Sequence, residues 1–181
     1  MNLNIEIPVL DSERLILREH RYADFPAMCE MWADPEVTKY IDGKPRPVED
    51  CWLKFLRATG FWAHLGYGYW IVENKETGEV AGEVGIGDFK RMLDPITPMP
   101  HEFGWAFRSS FHGQGVATEA VKTAMNWADK SLEGAELTCI IDPANAPSIR
   151  VAEKCGLREA ARAKYHGGEV MVCRREQKRG D

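Results

Sequence analysis

Short apolar runs and helical spacings alternate along this chain and predict most of its elements. Leu15-Ile16-Leu17, held between Arg14 and Arg18, reads as a first strand. Asp24 stands where a helix cap belongs, and Phe25, Met28, Cys29 and Trp32 then share one helical face. Pro47 introduces a second helix, with Trp52, Phe55 and Leu56 at i, i+3, i+4. Tyr69–Glu73 and Glu79–Ile86 are strands around an Asn74–Gly78 turn whose Thr77-Gly78 pair suits a hairpin. A further strand covers Glu102–Phe107. A helix over 116–131 should bury Val116, Ala117, Ala120, Val121, Ala124 and Ala128. Leu137–Ile141 is continuously apolar, as a buried strand is. Asn145–Lys154 is helical and stops at Gly156. Two late strands, Ala160–Tyr165 and Glu169–Arg175, meet at His166-Gly167-Gly168.

This order is mixed α/β, with one βαβ unit over 102–141. Residues 61–70 carry an unusual number of aromatic side chains around two glycines. They read either as core packing beside a loosened loop or as one wall of a substrate pocket. A Pro-rich loop at 94–100 precedes the Glu102 strand.

Composition narrows the class. A chain of 181 residues with a 44% hydrophobic share is one ordinary globular domain over 1–181, its core near 12–175. No apolar run approaches the roughly 20 residues of a membrane span, and Met1–Glu6 has no signal-peptide pattern, so no membrane partner is expected and the cytoplasm is the default. The five cysteines are scattered without a Cys-x-x-Cys pair, which argues against zinc and against a disulfide framework. His20, His64, His101 and His166 lack metal-ligand spacing, so no metal is expected. A net charge of −5 gives no electrostatic reason for nucleic acid, whereas an acidic surface tolerates cationic amines. The basic residues Arg174, Arg175, Lys178 and Arg179 read as a solvated end.

The candidate chemistry lies at the strand-to-helix junction Phe111-His112-Gly113-Gln114-Gly115-Val116-Ala117-Thr118. Two glycines and an alanine leave N–H groups uncovered at a helix N-terminus, which favours a phosphate. It is neither a P-loop, for want of Gly-Lys-Ser/Thr, nor a dinucleotide fingerprint, since Thr118 stands where a third glycine belongs. A tight turn without any ligand is the plainer alternative.

A second motif gives the first its context. His112-x-x-Gly115-x-Ala117 resembles the Gln/Arg-x-x-Gly-x-Gly/Ala loop of the GNAT acetyltransferases. Asn145, Ser148, Glu153, Lys154, Gly156 and Leu157 resemble that family's Asn-x-x-Ser followed by Glu-Lys-x-Gly-Phe. The resemblance runs from about Ser12 to Arg175. Glu102-Phe103-Gly104-Trp105 is similar to the branch that acetylates ribosomal-protein N-termini.

The resemblance implies one twisted mixed sheet, flanked by helices and splayed between the strands at 102–107 and 137–141 to admit acetyl-CoA. Backbone near Trp105–Phe107 would pair with pantetheine, and the N–H groups of Gly113, Gln114, Gly115, Val116, Ala117 and Thr118 would hold pyrophosphate. His112 departs from the usual Arg or Gln, so the grip falls on backbone. Asn145 would cap its helix and touch the cofactor. The acceptor would be an amine, on a small molecule or a protein N-terminus, and the chain leaves room for a homodimer. Acetyl transfer to an amine needs a proton acceptor, for which Glu102 is the first candidate and Glu83 the second. Each has a plainer reading, Glu102 as a solvated edge carboxylate and Glu83 as a surface residue. The resemblance suggests the backbone N–H of Phe107 as the donor to the thioester oxygen. The family's usual acid, a tyrosine, is replaced by Ala152, leaving Ser148 to assist the thiolate. The alternatives are a protein that binds acetyl-CoA without transfer, or an acyltransferase with another donor or acceptor. His101 adjoins Glu102, but successive strand residues point to opposite faces and form no dyad.

Overall fold

The structure, a computed structural model, describes residues 5–95 and 98–175. Thirteen elements carry the fold: β1 (Leu10–Asp11), β2 (Leu15–Arg18), α1 (Phe25–Ala33), α2 (Pro35–Thr38), α3 (Val48–Leu65), β3 (Tyr69–Asn74), β4 (Val80–Gly87), β5 (Glu102–Phe107), α4 (Val116–Ser131), β6 (Leu137–Ile141), α5 (Ala146–Lys154), β7 (Arg158–Tyr165) and β8 (Gly168–Arg175). They form one mixed eight-stranded sheet in the order β1-β2-β3-β4-β5-β6-β8-β7.

Every neighbouring pair is antiparallel except β5 and β6, the ends of the expected βαβ unit. That one parallel junction is almost open. β4 and β5 pair from Gly82↔Phe107 to Gly87↔Glu102, whereas β5 and β6 share the single pair Glu102↔Thr138. The Thr138 N–H donates to the His101 carbonyl at 3.0 Å, and beyond that rung the strands separate. The expected splay is therefore present.

α4 covers one face of the sheet. Its buried stripe of Val116, Ala120, Val121, Ala124, Met125 and Ala128 packs with Leu15, Leu17, Phe103 and Phe107. Ala117, expected in that stripe, is only half-buried because it stands at the open N-terminus of the helix. α1 and α3 cover the other face.

Several local expectations need correcting, among them the solvated basic end: Arg174 and Arg175 belong to β8 and pair with Glu136 and Asp129, while Lys178 and Arg179 lie outside the described residues. Asp24 precedes α1 but makes no side-chain cap. Its carboxylate instead takes both arms of Arg18, each at 2.8 Å, and the Arg21 N–H. A buried guanidinium from β2, also bonded to Glu73, outcompetes a helix N–H for this acceptor. α3 buries Cys51, Phe55, Ala58 and Trp62, while Trp52 and Leu56 are exposed. Trp52 lies flat on Phe55 at the rim, 5.5 Å between centroids, so the apolar stripe is broader than the buried face.

The aromatic stretch is no loop over its first half. Residues 61–65 complete α3, which ends on left-handed Gly66. Trp62 and Trp70 go to the core, each ring edge-on to Trp127, with indole N–H groups donating to Tyr69 and Pro8 carbonyls. Phe61 and Tyr69 face a cavity instead. Of the five aromatic residues, Trp62, Tyr67 and Trp70 are core and Phe61 and Tyr69 line the cavity.

Candidate active site

β5 carries the site because its outer edge is free. Arg108 N–H donates to Ala81 C=O, which fixes the phase of the antiparallel ladder. By alternation, the N–H and C=O groups of Trp105 and Phe107 then turn away from β4, toward the opening beside β6. The Phe107 carbonyl is met there by His112 Nε2 at 2.8 Å. His112, expected beside pyrophosphate, thus fastens the loop to the strand.

The loop after β5 is held by its own polar side chains. Gln114 Nε2 donates to the Ser110 carbonyl, and Arg14 Nη1 donates to the Gln114 carbonyl at 3.0 Å. Glu119 accepts from the Arg14 N–H, Arg14 Nε and Ser12 Oγ at 2.7–2.8 Å, so the first turn of α4 is tied to the residues entering β2. Sequence reasoning missed this tie, which joins residues about a hundred positions apart. Gly113 and Gly115 have φ of +74° and +78°, conformations that side chains with Cβ resist. Gly115 precedes α4 without a side-chain cap, and the first helical N–H bond is Glu119 to Gly115 C=O. The N–H groups of Val116, Ala117 and Thr118 therefore have no partner within the helix.

Two cavities meet at the open edge. One, of about 600 Å³, is lined by Gly113, Gly115, Val116, Ala117, Thr118 and Phe107 among others. The second, of about 720 Å³, lies over Glu83, Glu102, Tyr69 and the inward side of α3. Both are lined by Tyr40, Ile41, Trp105, Ala106, Asn145 and Ser148. A ligand anchored in the first cavity reaches the second only past these residues.

α5 supplies one wall of the junction. Asn145 Oδ1 accepts from the Ser148 N–H at 3.1 Å, an N-cap as expected. The Ser148 side chain is half-buried and makes no hydrogen bond with the described residues, so its hydroxyl is not engaged with the preceding turn. Ala152 lies one turn further on with 2% exposure, its methyl in the core.

The floor of the second cavity holds both carboxylate candidates. Register places Glu83 opposite Ala106, Gly85 opposite Gly104, and Gly87 opposite Glu102, so these residues share one face. Tyr69 crosses this row from β3, and a Cβ at Gly104 would overlap its hydroxyl. Glycine at 104 is what lets the phenol lie over β5. Burial first, then the charges of Glu102 and Glu83, push the Tyr69 hydroxyl far above its ordinary range, so it stays protonated.

Glu102 is 3% exposed and not the solvated edge carboxylate of the plainer reading. Arg91 holds both its oxygens, Nε to Oε2 at 2.5 Å and Nη2 to Oε1 at 2.6 Å, while Arg91 Nη1 donates to Tyr165 Oη. Burial raises the Glu102 carboxyl above the usual range, and Arg91 only partly opposes it. Glu83 is 6% exposed, which corrects its reading as a surface residue. β4 is covered on both faces, and alternation cannot show that. His20 Nε2 stands 3.6 Å from Glu83 Oε2, too far for a hydrogen bond. Burial raises the Glu83 carboxyl, but His20, Lys54 and Arg57 outweigh it and hold it below the usual range. His101 packs on Tyr67 instead, on the opposite side from Glu102, as strand alternation requires. Among the described residues no cluster of His, Cys, Asp or Glu could hold a metal ion, and no helix is long and apolar enough to cross a membrane. All five cysteines are free thiols.

These features have counterparts in known proteins. The family description "Acetyltransferase (GNAT) domain" matches residues 14–158. An uncharacterised N-acetyltransferase, p20 of Bacillus licheniformis, is 30% identical over 146 residues, covering 78% of each chain. The crystal structure of an acetyltransferase from Agrobacterium tumefaciens str. C58 is 31% identical, covers 98% of this chain and 99% of its own, and superposes with a TM-score of 0.81. RimL, a ribosomal L7/L12 alpha-N-protein acetyltransferase in complex with coenzyme A, shares the fold at a TM-score of 0.74 and 14% identity, over 93% of this chain and 98% of its own. With the family match spanning β2 to the start of β7, this chain belongs to the GNAT acetyltransferases.

Proposed function

We propose that the protein is an acetyl-CoA-dependent N-acetyltransferase. The observation that carries this reading is the meeting of two cavities at the open edge of β5, one floored by uncapped helix N–H groups and the other by buried carboxylates. The coenzyme A held by RimL supports a coenzyme in the first cavity. There the N–H groups of Val116, Ala117 and Thr118, with those of Gly113, Gln114 and Gly115, hold the pyrophosphate. The free edge at Trp105 pairs with the pantetheine amides as an added strand would, the Phe107 carbonyl being held by His112. Asn145 and Ser148 close the opposite side.

The acceptor amine enters the second cavity. Its nitrogen attacks the thioester carbon, the C–S bond breaks, and the amine's extra proton must leave. Between the two carboxylates, the geometry favours Glu83 as proton acceptor, directly or through water. Among the described residues Glu83 has no Arg or Lys within ion-pair distance, and it lies opposite Ala106, where the cavities join. Glu102 has both oxygens occupied and stands four residues, about 13 Å, back along the strand from Ala106. Its pairing with Arg91 and Tyr165 shapes the cavity floor. The Phe107 N–H donates to the thioester oxygen as charge develops. Ser148, whose hydroxyl is uncommitted, gives a proton to the departing thiolate and regains one from solvent.

Incubation with acetyl-CoA and a panel of amines, followed by thiol release and product mass, tests this reading. Release with a mass gain of one acetyl group on an amine is expected. Coenzyme binding without release on any amine would leave a binding protein in its place.

A further inference from the structure

The second cavity has a charge pattern that bears on its guest, given the acetyl-transfer reading above. α3 presents Lys54, Arg57 and Phe61 to it at i, i+3, i+7. Most other charges in the lining already have partners. Arg46 pairs with Asp42 at 2.8 Å, Arg91 with Glu102, and Glu169 with Arg162, which stands outside the cavity. Asp142 accepts the Ala144 N–H on the opposite wall, where β6 ends.

Lys54 and Arg57 remain. Lys54 Nζ lies 3.8 Å over the Trp32 ring, and neither it nor Arg57 forms an ion pair with a described residue. The Arg57 guanidinium sits 5.0 Å from the Phe89 ring, with Arg91 4.6 Å from the same ring, so stacking holds it in place without neutralising it. The carboxylate whose charge acts on both is Glu83. Once Glu83 faces an ammonium, or has taken its proton, half-buried Lys54 and the more exposed Arg57 lose the one carboxylate whose charge acts on both, and Arg57 keeps only that of Glu102, already held by Arg91.

We infer that the acceptor is an amine bearing a second, anionic group, a carboxylate or a phosphate, and that Lys54 and Arg57 receive that anion. An anion there restores the balance that amine binding at Glu83 removes. A polyamine or aminoglycoside would set further cations against the same two side chains. The net charge of −5 suggests cationic guests, but the α3 wall of the cavity presents Lys54 and Arg57 without an ion-pair partner among the described residues.

The test compares kcat/KM within matched pairs, with rates referred to the unprotonated amine. The pairs are amino acids against their amides, and phosphoethanolamine against ethanolamine, with spermidine as the polycation. Preference for the anionic member of at least about tenfold is expected, falling to about twofold in the Arg57→Gln, Lys54→Met double variant. The preferred pair tells carboxylate from phosphate. Melting temperatures confirm that the variant is folded, as expected where no hydrogen bond is removed. Equal or better turnover of amides, ethanolamine or spermidine overturns the inference while leaving acetyl transfer intact. So does a preference that survives in the double variant. If acetyl-CoA binds by calorimetry yet no amine releases thiol, acetyl transfer itself fails, and this inference with it.

Discussion

Replacing Glu83 by Gln separates the two carboxylates of the cavity floor. The substitution keeps size and removes the charge and the proton-accepting capacity. Positioned general bases contribute about 10²- to 10⁴-fold, or about 2.7–5.4 kcal/mol at 1.36 kcal/mol per decade. His20, Lys54 and Arg57 hold the Glu83 carboxyl below its ordinary range, which makes it a weaker base. The lower half of that span is therefore expected, a loss of about 10²- to 10³-fold in kcat/KM. Acetyl-CoA affinity should not change, since Glu83 lines the acceptor cavity and not the one with the helix N-terminus.

The comparison is Glu102→Gln. It replaces one of two charge-assisted bonds to Arg91 but also removes a buried charge, for a net cost of about 1–2 kcal/mol. At about 2–4 °C per kcal/mol in a chain of this size, its melting temperature falls by about 2–8 °C. Its kcat/KM should stay within about tenfold of the parent. The pH profiles differ as well. A Glu83 carboxyl held low is ionised throughout the neutral range, so the rise of kcat/KM with pH there follows the amine. A base at Glu102, held high, would add an ionisation above the ordinary carboxylate range. Assays are initial-rate thiol release on the best acceptor, with calorimetry for acetyl-CoA. A Glu83→Gln enzyme within about threefold of the parent at every pH, or a hundredfold loss in a fully stable Glu102→Gln, would refute the assignment.

Gly115→Val forces a branched residue into φ of +78° and should cost about 1–2 kcal/mol of stability while raising the acetyl-CoA Kd by more than about tenfold; an unchanged Kd by calorimetry removes the cradle. Ser148→Ala should lower kcat by about ten- to a hundredfold without moving the melting temperature, because its hydroxyl holds no described partner; unaltered kcat rules it out as proton donor. Asp24→Asn removes one of the two carboxylates on Arg18, Glu73 remaining, and should cost about 1.5–3 kcal/mol. Burial raises the Asp24 carboxyl, but Arg18 and the Arg21 N–H outweigh it and hold it low, so its contribution is full above the ordinary carboxylate range and is lost as pH falls through the lowered value. The gap in melting temperature between parent and Asp24→Asn should therefore close in acid, and a gap that persists there contradicts the pairing.

Patterns confined to neighbouring residues were legible, and those that depend on distant ones were not. The glycine loop, the Asn145 cap, the hairpin at 74–78 and the stripe of α4 follow from local spacing and stand where expected. Asp24 misled because a cap is a local choice, whereas its partner Arg18 comes from a neighbouring strand. Trp52 and Leu56 misled because helical spacing marks an apolar stripe without saying which part of it is covered. Arg91 clamps Glu102 from a loop with no periodicity, and Arg14 reaches Glu119 from the far end of the sheet. Neither pairing leaves a trace in the sequence. The mixed α/β order was readable throughout, but the opening between β5 and β6 came from the family resemblance alone.

The single rung between β5 and β6 also bears on solubility. An unpaired strand face is usually a hazard at the outside of a sheet, where another chain can add to it. Here that face lies inside the fold, in a slot walled by α5 and by Tyr40 and Ile41. A foreign strand would have to bring side chains on both faces past these walls, which a thin, unbranched arm with amides would not. The walls that would flank a pantetheine-like arm thus also stand between the inner edge of β5 and any strand that would add to it.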